Sequence, residues 1–284
     1  MTTTDTHLSN KQIGFIGGGN MASAIIRGVL ATGIAAENLS IGEPDASRRS
    51  TLAQLSPALT FKQSNDAVCE SADIVLLAVK PQLLPEVLSA LSNAAQQHPS
   101  LFISIAAGVS MARLAHYLPT AKAIVRAMPN LGAAVGRSMT GMAANAHCGD
   151  YERADASAIM SAIGEVMWLH TDRDIDAITA IAGSGPAYLF LLLEQLQAAA
   201  QTLEFDRQAA RQLALTTAAG AVELLQNDDG EFSSWRERVT SPGGTTAAAL
   251  DHLLTNGFNT HIQEAVFAAF ERAQQLAESA DKES

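Results

Sequence analysis

The sequence predicts an α/β protein: an N-terminal Rossmann-type doubly wound sheet followed by a C-terminal all-helical dimerisation domain. Three observations carry this expectation. Apolar strand-like runs alternate with helical patterns from Lys11 to about Asp172. The first such run opens directly into Gly17-Gly18-Gly19-Asn20-Met21-Ala22, a GxGxxA turn between strand and helix. Beyond Asp172 the strand signal stops and helical periodicity continues to the end, on helices too apolar for one face to bury.

Composition agrees with two domains. A chain of 284 residues can build two cores, and 48% hydrophobic with 17% charged residues describes a soluble globular protein. A formal net charge of −11 argues against binding to nucleic acid or to an anionic membrane, since both need clustered Lys and Arg. Cys69 and Cys148 are too few and too distant for a disulfide framework and point to reduced thiols in the cytoplasm. Residues 1–10 are polar, read as a disordered tail, and lack the basic start and apolar core of a secretory signal. Seven scattered histidines lack ligand spacing, so no metal site is expected. The most apolar run, Ala187–Leu193, ends at Glu194, well short of a membrane span.

In order along residues 11–172, the dinucleotide-binding domain, Lys11–Ile16 reads as a buried strand and the next helix runs to about Thr32. Between them Gly17 permits the tight turn, Gly19 lets a pyrophosphate approach the backbone, and Ala22 allows close helix–strand packing. Asn38–Gly42 is the second strand, with Glu43 at its end. An acid there binds the ribose hydroxyls of NAD, whereas an arginine accommodates the extra phosphate of NADP. Arg48 and Arg49 follow within a helical turn, so both cofactors stay open at this level. Leu59–Lys62 leads to Ser64-Asn65-Asp66, a helix cap. Asp73–Val79 is apolar throughout, as a central parallel strand must be, and is followed by Lys80-Pro81. Leu101–Ile105 precedes Ala106-Ala107-Gly108, small enough to leave room for a flat ring. Ala123–Met128, Ser138–Ala143 and Glu165–His170 complete a sheet of about eight strands.

Residues 173–284 read as an all-helical dimerisation and substrate-binding domain. Gly183-Ser184-Gly185-Pro186 interrupts an apolar helical context, which fits either a kink near a ligand or a plain helix boundary. Ala187–Ala200 and Arg211–Leu225 are long apolar helices that call for a dimer interface. In Val239–Leu250, VTSPGGTTAAAL, Pro242 stops the preceding element, Gly243 and Gly244 free the backbone, and Thr245 or Thr246 can cap the next helix. Several N–H groups and two hydroxyls then converge at a positive helix end, which by itself fits either an ordinary capped helix start or a site for a small carboxylate or phosphate.

These residues resemble the pyrroline-5-carboxylate reductase family. The resemblance runs from about Ile13 to Ala277 and rests on FIGGGNMA (15–22), AVKPQ (78–82), SIAAG (104–108), RAMPN (126–130), GSGPAY (183–188) and VTSPGGTT (239–246). It implies reduction of the cyclic imine of 1-pyrroline-5-carboxylate to L-proline with NADPH or NADH. It also implies active sites between subunits of a homodimer, often in a decamer of five dimers. Carried over by position, Gly17, Gly19, Asn20 and Met21 would contact the pyrophosphate, and Ala78, Val79, Lys80 and Pro81 would line the cofactor. Asn65 would reach its adenosine end, while Ala106 and Ala107 would flank the nicotinamide. Ser241, Gly243, Gly244, Thr245 and Thr246 would hold the substrate carboxylate and ring nitrogen, with Ser184 and Gly185 nearby. The chain departs from the family at Leu131-Gly132, where Thr-Pro is common, and at Ala182, where Ser is common; Glu43 bears on the usual NADPH preference.

No His or carboxylate in the 239–246 segment is an obvious acid for the imine nitrogen. Either the substrate arrives as the iminium ion, or a hydroxyl such as that of Thr246 supplies or positions the proton, which makes Thr246 the catalytic candidate. Dehydrogenases of similar architecture that act on 3-hydroxyacids use a lysine of the second domain, and here that half has no lysine before Lys282. A non-catalytic redox sensor would need the glycine turn but neither SPGGTT nor GSGPAY.

Overall fold

The computed structural model describes residues 8–226 and 228–282, with side chains as far as 278. Among them, eight strands form one sheet: β1 (Ile13–Ile16), β2 (Leu39–Gly42), β3 (Thr60–Phe61), β4 (Ile74–Leu77), β5 (Leu101–Ser104), β6 (Ile124–Met128), β7 (Ser138–Ala144) and β8 (Gly164–Trp168). Their order is β3-β2-β1-β4-β5-β6-β7-β8, and every pairing is parallel except β6 with β7. The chain therefore winds outward from β1 in one direction and from β4 in the other, and the order reverses between these two strands. Helices α1 (Asn20–Ala31), α2 (Ala46–Ala53), α3 (Asn65–Cys69), α4 (Leu84–Ser89), α5 (Asn93–Gln97), α6 (Met111–Tyr117) and α7 (Asp150–Ser161) connect the strands.

Alternation along each strand divides the core between the two sheet faces. Ile13, Phe15, Ile74, Leu76, Leu101 and Ile103 pack with Ile25, Ile26 and Val29 of α1 and Ile159 and Met160 of α7. Val75, Leu77 and Phe102, one residue out of phase, pack with Val68, Leu84, Leu88 and Leu114 of α3, α4 and α6. Strands covered on both faces carry no polar face of their own, which explains their unbroken apolar runs.

The helices that follow are α8 (Asp172–Ile178), a π-helical turn at Thr179–Gly183, α9 (Gly185–Thr202), α10 (Arg207–Gln226), α11 (Phe232–Arg238), α12 (Thr245–Thr255) and α13 (Phe258–Lys282). The chain divides into two compact units, but not at Asp172. The first runs on to Gly183 and resumes at Ala269; the second is Ser184–Ala268. Buried Arg126 on β6 accounts for the difference at α8. Its Nη1 donates to Asp172 Oδ1 at 2.6 Å and its Nη2 to Asp176 Oδ1 at 3.3 Å, so α8 stays with the sheet. The end of α13 also belongs there, where Phe270 lies under the Arg173 guanidinium. A second difference concerns the expected tail. Leu8 is buried in the core, so ordered structure begins at least that early; residues 1–7 lie outside the described residues.

In the second unit α9 packs along α10. Among its described residues only Ala210 and Ala214 are buried, while Leu189, Phe190, Leu191, Leu192 and Leu196 of α9 are all exposed.

Candidate active site

Strand register assembles one edge of the sheet. Ile16 pairs with both Gly42 and Leu77, and Leu77 pairs with Ser104, so the segments that leave β1, β2, β4 and β5 emerge side by side. Those segments hold Gly17–Asn20, Glu43, Ala78–Pro81 and Ala106-Ala107. Ligands of open α/β sheets bind outside these carboxyl ends, where the strand order reverses.

At the reversal sits the glycine turn. Gly17 has φ +98°, and a Cβ there would lie 2.7 Å from the Ala78 carbonyl oxygen, so both conformation and space demand glycine. Gly19 has no heavy atom near its would-be Cβ and is the N-cap of α1 in extended conformation. No side chain caps α1 and no acid stands in its first turn, which leaves its first N–H groups for an external anion. Asn20 is exposed and Met21 half-buried beside this opening. The cradle therefore fits a dinucleotide pyrophosphate.

The flanking candidates fall around it. Ala78 N donates to Ile16 O, which holds Ala78 and Val79 against the turn, and Lys80 is exposed beyond them, where Pro81 opens a short helical turn. Asn65 stands over the end of β2, its Oδ1 only 2.7 Å from where a Gly42 Cβ would be. Ala106 is buried and Ala107 exposed, just before Gly108 turns the chain at φ +70°. All the cofactor candidates thus belong to one edge of the first unit.

Two neighbouring features carry weaker sequence signals. Asn130 Nδ2 donates to the Ala182 carbonyl at 2.9 Å and its Oδ1 accepts from Gly132 N at 2.9 Å. It ties the loop after β6 to the π-helical turn, a local form often found at functional sites. This explains the Gly132 departure: a proline there would have no N–H for Asn130, and a Cβ would collide with the Arg137 carbonyl. The signal available in sequence was the short Asn-x-Gly spacing. The second is Asp45, which caps α2 through Ser47 N and Arg48 N, an Asp placed before a helix start. Neither cysteine offers a thiolate. Burial pushes Cys69 up to about 12 and Cys148 up to about 11.

The substrate candidates belong to the second unit, at two helix starts. Ser184 is the N-cap of α9, with Gly185 and Pro186 in its first turn and no side-chain cap. At α12 the outcome differs from the sequence expectation. Gly244, not a threonine, is the N-cap, and Thr245 and Thr246 are its first helical residues. The reason is the turn before it. Gly244 N donates to Ser241 O, Gly243 takes φ +69°, and a Gly244 Cβ would lie 2.6 Å from Ser241 Oγ. Neither threonine hydroxyl caps α12 and no acid stands in its first turn, so N–H groups and hydroxyls gather at a positive end.

Comparison with known proteins finds relatives along the whole chain. Residues 172–276 match the family described as pyrroline-5-carboxylate reductase dimerisation, and residues 12–108 the family described as NADP oxidoreductase, coenzyme F420-dependent. The pyrroline-5-carboxylate reductase of Haemophilus influenzae is 41% identical over 270 residues, covering 95% of this chain and 98% of its own length. A pyrroline-5-carboxylate reductase structure from Coxiella burnetii superposes with a TM-score of 0.85 at 33% identity, over 94% of this chain and 98% of that one. The pyrroline carboxylate reductase of Plasmodium falciparum, solved with NADP bound, gives 0.81 at 29% identity, over 95% and 99%. With near-complete coverage in both directions and an intact glycine turn, the chain belongs to the pyrroline-5-carboxylate reductase family.

Proposed function

We propose that this chain catalyses NAD(P)H-dependent reduction of 1-pyrroline-5-carboxylate to L-proline, the final step of proline biosynthesis. The observation that carries the reading is that each unit holds an open helix start, α1 in the first for a pyrophosphate and α12 in the second for a small carboxylate. When bound, the reduced nicotinamide supplies the hydride; the chain supplies position and a proton.

Gly17, Gly19, Asn20 and Met21 hold the pyrophosphate, Asn65 faces the adenosine end, and Ala78, Val79, Lys80 and Pro81 line the dinucleotide. Ala106 and Ala107 leave a flat face for the nicotinamide ring. Ser241, Gly243, Gly244 and Thr245 bind the substrate carboxylate, supported by Ser184 and Gly185 at the α9 start. Thr246 Oγ1 delivers or positions the proton that the imine nitrogen takes as its C=N bond is reduced. Holding the imine carbon in line for reduction supplies most of the acceleration, an effect worth about 7–11 kcal/mol. No strong general acid is then required.

The chain assembles as a homodimer through its helical region, with a decamer of five dimers as the larger form, and works in the cytoplasm. The helical stretch Asp172–Thr202, 31 residues long, is apolar enough by length and composition to cross a membrane. We assign it to the interface between subunits because Asp172 and Asp176 are engaged by Arg126 and the dimerisation family match begins at residue 172.

The test is oxidation of NADH and NADPH, each followed by absorbance, with pyrroline-5-carboxylate as substrate. Rapid turnover with at least one is expected. Folded protein that binds dinucleotide yet leaves the imine unreduced would overturn the reading.

A further inference from the structure

The adenosine ribose of a dinucleotide lies at the carboxyl end of β2, where an acid receives its hydroxyls or an arginine receives a 2′-phosphate. Both residue types stand here, and the structure separates their roles. The Glu43 side chain is only 3% exposed. One carboxylate oxygen accepts from Gly18 N at 2.8 Å and the other from Asp45 N at 2.9 Å, fixing the carboxylate against the glycine turn. Arg49 is turned to the backbone, its Nη1 donating to the carbonyls of Glu43 at 2.8 Å and Pro44 at 2.7 Å. Arg48 is 53% exposed and stands 3.8 Å from Glu43 Oε2, where it offsets that charge from outside.

The start of α2 is equally committed. Asp45 Oδ1 accepts from Ser47 N at 2.8 Å, Arg48 N at 3.1 Å and the Ser47 hydroxyl at 2.7 Å. The Ser47 hydroxyl, with the two backbone bonds, holds the Asp45 carboxyl below its ordinary range, so it is charged at neutral pH. A 2′-phosphate would thus come against the exposed Asp45 carboxylate with the Glu43 charge buried behind it, and the helix start it could have used is already capped. Ribose hydroxyls carry no charge for these carboxylates to repel.

We propose that the β2–α2 corner makes this chain prefer NADH to NADPH, with Glu43 as the specificity-determining residue and Asp45 as its reinforcement. This rests on the dinucleotide reading of the glycine turn and is separable from the identity of the imine.

The experiment is titration calorimetry of the whole chain with NADH and with NADPH, alongside the isosteric double variant Glu43→Gln, Asp45→Asn. Asp45→Asn keeps an acceptor for Ser47 N and Arg48 N, Glu43→Gln keeps one for Gly18 N or Asp45 N but not for both, and together they remove the charge. NADH is expected to bind at least about tenfold tighter in the parent chain, and the double variant to close most of that gap by gaining affinity for NADPH. Tighter NADPH binding in the parent, or an unchanged ratio in a folded double variant, would overturn the proposal. So would an Arg48→Ala variant that weakens NADPH alone by about tenfold, since Arg48 would then be the phosphate ligand. Should the double variant not fold, displacement of NADH from the parent chain decides: adenosine 5′-monophosphate should compete better than adenosine 2′,5′-bisphosphate, and the reverse order overturns the proposal. Binding of neither dinucleotide would remove this proposal and the dinucleotide reading together. Dinucleotide binding in the expected order without imine turnover would leave this proposal standing and remove only the substrate.

Discussion

Thr246 shows how a side chain at a helix start can be left out of capping. A threonine just before a helix commonly spends its hydroxyl on capping, but here Gly244 occupies the cap and Thr246 sits one residue inside the first turn of α12. The residue is half-buried at the helix start, where the proposed reaction puts the substrate nitrogen. Thr246→Ala is expected to lower kcat about a hundredfold while dinucleotide affinity stays near its parent value, and Thr246→Ser should restore most of the rate. Steady-state kinetics with titration calorimetry checks this; an alanine variant with parent kcat would end the hydroxyl's proposed role. The threonine pair and the glycines before it were visible in sequence because such residues have narrow backbone uses. Which residue would be the cap was not, because that depends on Gly243 taking a left-handed φ and drawing Gly244 N to Ser241 O. Likewise Glu43 was legible as an acid at a strand end, but its turn toward Gly18 N exists only once β1 and β2 lie side by side.

At the level of elements, a central strand such as Ile74–Leu77 announced itself because burial on both faces favours an unbroken apolar run. The attachment of α8 was silent. It depends on Arg126, the largest fully buried side chain, meeting Asp172 and Asp176, which one helical turn of α8 brings onto the same side. Those partners lie 46 and 50 residues away, beyond any local pattern. Burial raises the Asp176 carboxyl above its ordinary range, and Arg126 opposes that rise. The native state therefore holds this proton more tightly than the unfolded chain. Stability from the protonated form is present at acid pH and is lost as pH rises through the native titration. Removing the guanidinium should steepen that loss. Arg126→Met is expected to destabilise the fold by about 3–5 kcal/mol at neutral pH and by less under acid conditions, with Asp176→Asn in the same chain recovering part of the difference. Urea unfolding at a series of pH values measures it. Equal loss at acid and neutral pH would show that Arg126 acts by packing alone.

For the whole molecule, the decisive quantity is how little the second unit buries by itself. A helical unit of this length ordinarily hides a stripe of large apolar residues along each helix, yet among the described residues of Ser184–Ala268 only two alanines are buried. Leu189 and Leu192, 61% and 45% exposed, lie three residues apart on one side of α9. Leaving such a surface in water is costly at roughly 25 cal/mol per Å² of apolar area, and a second copy of the chain removes it. The sequence disclosed this need because α9 is apolar around most of its circumference; the number of subunits depends on contacts that no single chain contains. The protein should therefore elute at a multiple of 29.8 kDa in light scattering coupled to size exclusion, at micromolar concentration and in moderate salt. Leu189→Arg with Leu192→Arg should place two charges in the buried face, shift the mass toward 29.8 kDa and lower the unfolding temperature, because this unit has almost no core to fall back on. A parent chain that remains at 29.8 kDa under those conditions would refute the argument, since the exposed apolar helix would then have to be tolerated in a monomer.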